Sequence, residues 1–270
     1  MNYTRSLRIG IIGCGNMGGA IVRRLIGRGL PVIVSDADAA KRREMEKRYK
    51  AKTTADNTDL AARSDIIILA VKPRDVGDVA RGLSDCKGIE KKLIISIAAG
   101  VPTGKIERML GSKTPVVRAM PNMPALVGSG ISAVSAGRYA KVSHLKAAKD
   151  ILSAVGDVLD VEEGLMDAVT AISGSGPAYF FYLIESITEA ARELGINEKD
   201  AKALAIKTAI GSARVLEEAG CEPVDLREKV TSKGGTTEAA FRVFESKGFK
   251  DIVKEAIRAS RDRARELSGE

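Results

Sequence analysis

The chain has 270 residues, of which 44% are hydrophobic and 29% charged, which is enough for two globular domains and excludes a disordered protein. The formal net charge is +8, but basic and acidic residues are interspersed and only 4% of residues are aromatic, so we expect no nucleic-acid interface. A single histidine, His144, and three scattered cysteines argue against a zinc site, a disulfide framework and His-based nucleophilic catalysis.

The sequence predicts a cytoplasmic protein without membrane contact. The N-terminal stretch, residues 1–8, is polar and lacks the apolar core of a signal peptide. The longest apolar runs, Ile66–Val71 and Leu93–Ala99, are far shorter than the ~20 residues that span a bilayer. The separate cysteines fit a reducing compartment.

Strand and helix patterns alternate over the first 163 residues. Short apolar runs between amphipathic segments predict a mostly parallel sheet with helices on both faces. The predicted strands are Leu7–Ile12, Pro31–Ser35, Asp65–Val71, Lys92–Ile97, Pro115–Met120, Gly130–Ser135 and Val155–Val161. The helices predicted with bounds are Met17–Arg28, Ala39–Tyr49 and Val142–Ala154.

From about Gly164 onward the pattern is entirely helical. The predicted helices are Pro177–Leu194, Glu198–Ala219, Pro223–Val230, Thr236–Ser246 and Phe249–Leu267. Several carry apolar residues on more than one face, which a bundle of this size cannot bury alone. We therefore expect two domains, 1–163 and 164–270, and a homodimer or larger homo-oligomer formed through the second. The alternative is an apolar helix sandwiched between the two domains.

A glycine-rich motif follows the first strand and opens the first helix. Its spacing is G-x-G-x-x-G, formed by Gly13-Cys14-Gly15-Asn16-Met17-Gly18. In such loops the glycines permit a tight turn, close approach of a pyrophosphate, and close packing of helix on strand. The free N–H groups at the helix start attract the phosphates. This context predicts a Rossmann-type domain that binds NADH or NADPH.

The end of the second strand bears on the choice of cofactor. Asp36 lies 23 residues after Gly13, where an acid hydrogen-bonds the adenosine ribose of NAD and repels a 2′-phosphate. Lys41, Arg42 and Arg43 follow closely and can hold that phosphate. They can equally form a solvated helix face. Asp36 thus favours NADH, and the basic run leaves NADPH open.

Two further strand ends are candidates for contact with the cofactor. Ligands of open parallel sheets sit beyond the carboxyl ends of the strands, which places Lys72, at the end of one strand, near the cofactor. A surface lysine is the alternative. The small residues of Ser96–Val101 leave room for a flat nicotinamide ring.

Five segments, in order and at fitting spacing, resemble pyrroline-5-carboxylate reductases over essentially the whole chain. They are the glycine loop, Ala70–Pro73, Arg118–Pro124, Ser173–Tyr179 and Val230–Ala239, of which the last is the most specific. The resemblance implies a Rossmann domain followed by a helical domain that dimerises by interlocking helices. It also implies reduction of 1-pyrroline-5-carboxylate to L-proline with NADPH or NADH, the last step of proline biosynthesis.

The resemblance assigns roles to individual residues. It implies cofactor contacts from Ile12, Gly13, Cys14, Gly15, Asn16, Met17, Ser35, Asn57, Ala70, Val71 and Lys72. It implies that the substrate is held by Ser232, Gly234, Gly235, Thr236 and Thr237. Lys233 stands where the family usually has proline.

The Gly234–Thr237 segment precedes an apolar helical pattern, which predicts a loop entering a helix with a threonine as N-cap. Such an N-terminus offers N–H groups to the substrate carboxylate, and the Thr237 hydroxyl can hydrogen-bond the ring nitrogen, which makes it the catalytic candidate. A protonated imine already accepts hydride well. Positioning alone can contribute on the order of 7–11 kcal/mol, which suits a site without histidine.

Two other functions compete with this interpretation. A 3-hydroxyacid dehydrogenase of the 6-phosphogluconate type needs a lysine on the first long helix of its second domain, but Pro177–Ala191 contains none and Lys207 lies one helix later. A redox-sensing dinucleotide-binding protein would not need the Gly-Gly-Thr-Thr loop, which is present. Turnover of pyrroline-5-carboxylate separates the three.

Overall fold

The residues that the structure describes are 7–268, in a computed structural model. The chain divides into two units by its internal contacts: residues up to Ser175 together with those from Ser260 onward, and Gly176–Ala259. The domain division predicted near residue 164 stays a prediction. Over the described range, none of the helices has the length and apolarity that crossing a membrane requires.

The first unit is built on an eight-stranded sheet. In chain order the strands are β1 (Ile9–Ile12), β2 (Val32–Ser35), β3 (Lys52–Thr54), β4 (Ile66–Leu69), β5 (Leu93–Ser96), β6 (Val116–Met120), β7 (Gly130–Ala136) and β8 (Gly156–Asp160). They lie in the order β3-β2-β1-β4-β5-β6-β7-β8, and β6 pairs with β7 antiparallel while the other pairs are parallel. The predicted Rossmann-type, mostly parallel sheet is confirmed.

The helices of the first unit cover the sheet. They are α1 (Asn16–Gly27), α2 (Ala39–Tyr49), α3 (Asn57–Ala62), α4 (Val76–Ser84), α5 (Thr103–Leu110), α6 (Val142–Leu152) and the short α7 (Met166–Val169). Successive side chains of a strand point to opposite faces. Ile66 and Ile68 accordingly join one buried core, and Ile67 and Leu69 join the other. Burial on both faces explains why the central strands are continuous apolar runs.

The regular secondary structure of the second unit is helical, as predicted. They are α8 (Gly176–Glu193), α9 (Glu198–Ala219), α10 (Pro223–Lys229), α11 (Thr236–Ser246) and α12 (Phe249–Ser268), whose last turns belong to the first unit. Ala201 and Ala205 of α9 are buried. Phe180, Tyr182 and Leu204 are more than half exposed in the single chain. Large apolar side chains that are exposed in a single chain are typical of a surface that another chain covers.

Candidate active site

The glycine loop connects β1 to α1 at the carboxyl edge of the sheet. The Gly13 N–H donates to the carbonyl of Ser35 at 2.7 Å, and Gly13 has a φ of +104°. A Cβ on Gly13 would lie 2.6 Å from the carbonyl oxygen of Ala70, and one on Gly18 would lie 2.1 Å from the carbonyl oxygen of Gly13. Backbone crowding therefore requires glycine at both positions.

The loop leaves open space in front of the α1 N-terminus. Gly15 is the extended N-cap of α1 and gives it no side-chain hydrogen bond. A Cβ built on Gly15 would meet no heavy atom within 4 Å. The first N–H groups of a helix lack intrahelical partners and attract anions. This exposed end, lined by Gly15 and Asn16, therefore fits the pyrophosphate of a dinucleotide.

Asp36 connects the end of β2 to the glycine loop. Its Oδ2 accepts the Cys14 N–H at 2.7 Å and its Oδ1 accepts the Asp38 N–H at 2.9 Å. The Lys41 Nζ lies 3.9 Å from Oδ2, and Arg42 donates to the carbonyl oxygen of Asp36 at 2.5 Å. Each carboxylate oxygen keeps a lone pair that a ribose hydroxyl can use. Lys41 and Arg42, but not Arg43, thus contact Asp36 at the end of β2.

Cys14 contributes backbone to the loop rather than a reactive thiol. Its side chain is buried, with Sγ 3.8 Å from the carbonyl oxygen of Ser35. Burial, followed by the charge of Asp36, raises the pKa of the Cys14 thiol to about 12. The thiol stays protonated at neutral pH and is not a nucleophile.

The other predicted cofactor residues lie at the same edge of the sheet. Ser35 is buried, and its hydroxyl donates to Asn57 Oδ1 at 2.6 Å. The Ala70 N–H donates to the carbonyl oxygen of Ile12 at 2.8 Å, which holds the end of β4 beside the glycine loop. Lys72 is exposed, two residues further on. The structure thus gathers this set around the carboxyl ends of β1, β2 and β4.

The predicted substrate residues lie in a tight turn, residues 232–235, and in the first turn of α11, in the second unit. Gly234 has a φ of +73°, and its N–H donates to Glu238 Oε2 at 2.7 Å. The Gly235 N–H donates to the carbonyl oxygen of Ser232 at 3.0 Å. Arg242 donates to the same Glu238 oxygen at 3.1 Å. A glutamate at the third helical position often accepts a backbone N–H near the helix start, so the position of Glu238 was a local signal for a contact of this kind.

The expectation of a threonine N-cap is wrong. The N-cap of α11 is Gly235, which is extended and gives no side-chain hydrogen bond, so Thr236 and Thr237 are the first two residues of the helix. Glu238 accepts the Gly234 N–H before the helix, and neither threonine occupies the N-cap position of α11. Thr237 is half-buried, and its hydroxyl makes no hydrogen bond with any residue in the range 7–268. It is available to a ligand.

Comparison with known proteins gives the family. Residues 163–267 match the family described as "Pyrroline-5-carboxylate reductase dimerisation", and residues 8–100 match "NADP oxidoreductase coenzyme F420-dependent". A Pseudomonas aeruginosa relative named pyrroline-5-carboxylate reductase is 39% identical over 265 residues, which are 97% of this chain and 97% of the relative. The chain belongs to the pyrroline-5-carboxylate reductase family.

Solved structures of family members have the same fold. A pyrroline-5-carboxylate reductase from Coxiella burnetii superposes with a TM-score of 0.91 at 38% identity, covering 97% of this chain and 98% of that chain. A Plasmodium falciparum pyrroline carboxylate reductase with NADP bound superposes with a TM-score of 0.86 at 29% identity, covering 98% and 99%. The family resemblance and the fold class predicted from the motifs are confirmed.

Proposed function

We propose that this protein reduces 1-pyrroline-5-carboxylate to L-proline with NADPH or NADH, as the last step of proline biosynthesis. Near-complete alignment with a named reductase carries this proposal. The glycine loop supports it, because the open space at Gly15 fits a dinucleotide pyrophosphate. The presence of the Gly-Gly-Thr-Thr turn favours the reductase over the hydroxyacid dehydrogenase and the non-catalytic sensor.

The cofactor is assigned to the carboxyl edge of β1, β2 and β4. Bound there, NAD(P)H supplies the hydride that the imine carbon accepts. The N–H groups at the start of α1 hold the pyrophosphate. Asp36 accepts a ribose hydroxyl, and Lys41 and Arg42 are the cations available to a 2′-phosphate. The assigned residues are Ile12, Gly13, Cys14, Gly15, Asn16, Met17, Ser35, Asp36, Asn57, Ala70, Val71 and Lys72.

The substrate is assigned to the turn before α11. The N–H groups at this N-terminus bind the ring carboxylate, because Gly235 provides no side-chain acceptor for them. Hydride addition to the protonated imine turns the C=N double bond into a single bond and leaves a lone pair on the neutral amine nitrogen. The Thr237 hydroxyl donates a hydrogen bond to that developing lone pair. The substrate residues are Ser232, Gly234, Gly235, Thr236 and Thr237.

The assembly proposed is a homodimer, formed through the helical region that matches the family's dimerisation description. The exposed Phe180, Tyr182 and Leu204 side chains support it, since a second copy removes their apolar surface from water. The enzyme is placed in the cytoplasm, with a small-molecule substrate and with no role for nucleic acid or membrane.

Purified protein should oxidise NADPH or NADH in the presence of pyrroline-5-carboxylate and form proline in equal amount. Proline is quantified by amino-acid analysis, and each reduced cofactor is followed by its absorbance. EDTA should leave the rate unchanged, because the assigned chemistry uses no metal. A rate lost in EDTA and restored by zinc would contradict the proposal.

A further inference from the structure

The loop between β5 and α5, residues 97–102, lies at the half of the cofactor site that the adenosine does not use. In a doubly wound sheet the dinucleotide crosses the point where the strand order reverses, here between β1 and β4. Asp36 at β2 marks the adenosine half, so the nicotinamide half extends over β4 and β5. The half-buried Ala99 and Gly100 give this loop a small-residue surface, while Ala98 is buried. This placement rests on the proposed function.

The end of that loop is held by a carboxylate from a distant part of the chain. The N-cap of α5 is Pro102, which provides no side-chain hydrogen bond. Instead the Thr103 N–H donates to Glu163 Oε1 and the Thr103 hydroxyl donates to Glu163 Oε2, each at 2.7 Å. Glu163, 60 residues later, therefore caps α5 with both oxygens.

A buried arginine holds the Glu163 carboxylate in turn. Arg118 lies in β6 with a side chain only 5% exposed, and its guanidinium is 3.8 Å from Glu163 Oε1 and 3.5 Å from Asp167 Oδ1. Removing one partner of a buried ion pair leaves the other charge uncompensated. Arg118 and Glu163 thus form a charged link from the rigid sheet to Thr103, at the start of α5.

The loop also packs on the C-terminal turn within the same unit. A Cβ on Gly100, which has a φ of +69°, would lie 3.6 Å from the Leu267 carbonyl carbon and 3.6 Å from the Ser268 nitrogen. Residues 97–102 therefore lie close to the last turn of α12 at Gly100 and are held by hydrogen bonds at Thr103. The hydrogen bonds at Thr103 can be weakened by a change that preserves side-chain volume.

We propose that Glu163 is a positioning residue for hydride transfer. By holding Thr103 it fixes the loop of residues 97–102 at the nicotinamide half of the cofactor site, without touching the reacting atoms. Hydride transfer depends steeply on the placement of the donor ring, so loosening this loop should slow the chemical step. Binding of the adenosine and pyrophosphate, at β1 and β2, should be unaffected.

The test compares Glu163→Gln with Glu162→Gln, an exposed neighbour that undergoes the same change of charge. We measure kcat with pyrroline-5-carboxylate, and the Kd of NADH and of ADP-ribose, which lacks the nicotinamide. Glu163→Gln should lower kcat about tenfold, weaken NADH binding, and leave the ADP-ribose Kd within about twofold of wild type. Glu162→Gln should match wild type in all three. An equal loss of NADH and ADP-ribose affinity would overturn the proposal, since it would mean general damage to the unit.

Amide hydrogen exchange gives a second readout that needs no turnover. In the unliganded protein, Glu163→Gln should speed exchange in residues 97–106 and leave residues 12–18 unchanged. Faster exchange without the loss of kcat, or unchanged exchange with it, would also overturn the assignment. If wild-type protein fails to reduce pyrroline-5-carboxylate, the proposed function fails, while exchange and the two Kd values still test the role of Glu163.

A milder variant keeps the test decisive if Glu163→Gln does not fold. Thr103→Val removes the hydroxyl donor and keeps the N–H and the side-chain volume. It should produce the same pattern, with a fall in kcat of about threefold. A folded Thr103→Val protein with wild-type kcat and wild-type exchange in this loop would refute the proposal.

Discussion

Thr237→Ala is the most informative single change, because the structure distinguishes the proposed catalytic role of Thr237 from a structural one. Gly235, not a threonine, caps α11, and the Thr237 hydroxyl makes no hydrogen bond to another residue between 7 and 268. Alanine is also a better helix former than threonine, by up to ~0.7 kcal/mol. The melting temperature and the cofactor Kd should therefore stay near wild type. The substrate should lose one hydrogen bond in the transition state.

The expected loss of activity follows from the strength of that bond. Removing the hydroxyl leaves the lone pair on the substrate nitrogen without its donor, and an unsatisfied buried acceptor costs about 1–3 kcal/mol. A tenfold rate change corresponds to about 1.4 kcal/mol, so kcat/KM for pyrroline-5-carboxylate should fall roughly ten- to a hundredfold. Thr237→Ser keeps the hydroxyl and serves as the matched control, with most activity retained.

Steady-state kinetics and thermal unfolding of the wild type and both variants decide the matter. An alanine variant with full kcat/KM and a lowered melting temperature would refute the catalytic assignment and leave Thr237 a structural residue. Loss of activity in both variants would show that the methyl group or the backbone, rather than the hydroxyl, matters.

Two further predictions concern the cofactor and the assembly. Asp36→Ser removes the carboxylate that accepts the Cys14 N–H, so both cofactors should bind more weakly. The kcat/KM for NADPH should nevertheless rise relative to that for NADH. An unchanged ratio of the two kcat/KM values would show that Asp36 does not face the ribose. Sedimentation at micromolar protein concentration should show at least a dimer, because a monomer exposes Phe180, Tyr182 and Leu204 to water. A folded, active monomer would contradict the proposed helical interface.

The sequence predicts the fold best where burial dominates. The predicted bounds of β1, β2, β4, β5 and β6 differ from the observed bounds by only a few residues at either end. These strands are easy to predict because both of their faces are buried, which makes them continuous apolar runs. The edge strand β3 was missed, since Lys52–Thr54 is short, polar and half-exposed. The antiparallel pairing of β7 with β6 was missed as well, because the direction of a strand depends on the connection and not on its own residues.

The site is less predictable because its contacts join residues far apart in the chain. The G-x-G-x-x-G spacing identified the glycine loop, but nothing local indicates that Asp36 accepts the Cys14 N–H. Arg118 within an apolar strand was a signal for a buried ion pair, yet its partners Glu163 and Asp167 follow some 50 residues later. The threonine N-cap was predicted wrongly because a capping preference does not fix the residue at which the helix begins, and Gly235 occupies that position.

The environment of the single histidine favours a mechanism in which positioning does most of the catalytic work. His144 lies in the first turn of α6, where its Nδ1 accepts the Lys141 N–H at 3.0 Å. Burial, and then the charge of Lys141, lower the pKa of His144, so the ring is neutral and its acceptor nitrogen is committed to the helix start. With Cys14 protonated and His144 in a structural role, neither residue acts as the acid or base that imine reduction would use near neutral pH. We therefore expect the proton on nitrogen to arrive with the protonated imine, while the protein contributes N–H groups, hydroxyls and a fixed geometry. In the proposed assignment, the start of α1, the turn before α11 and the Glu163–Thr103 contact provide these groups.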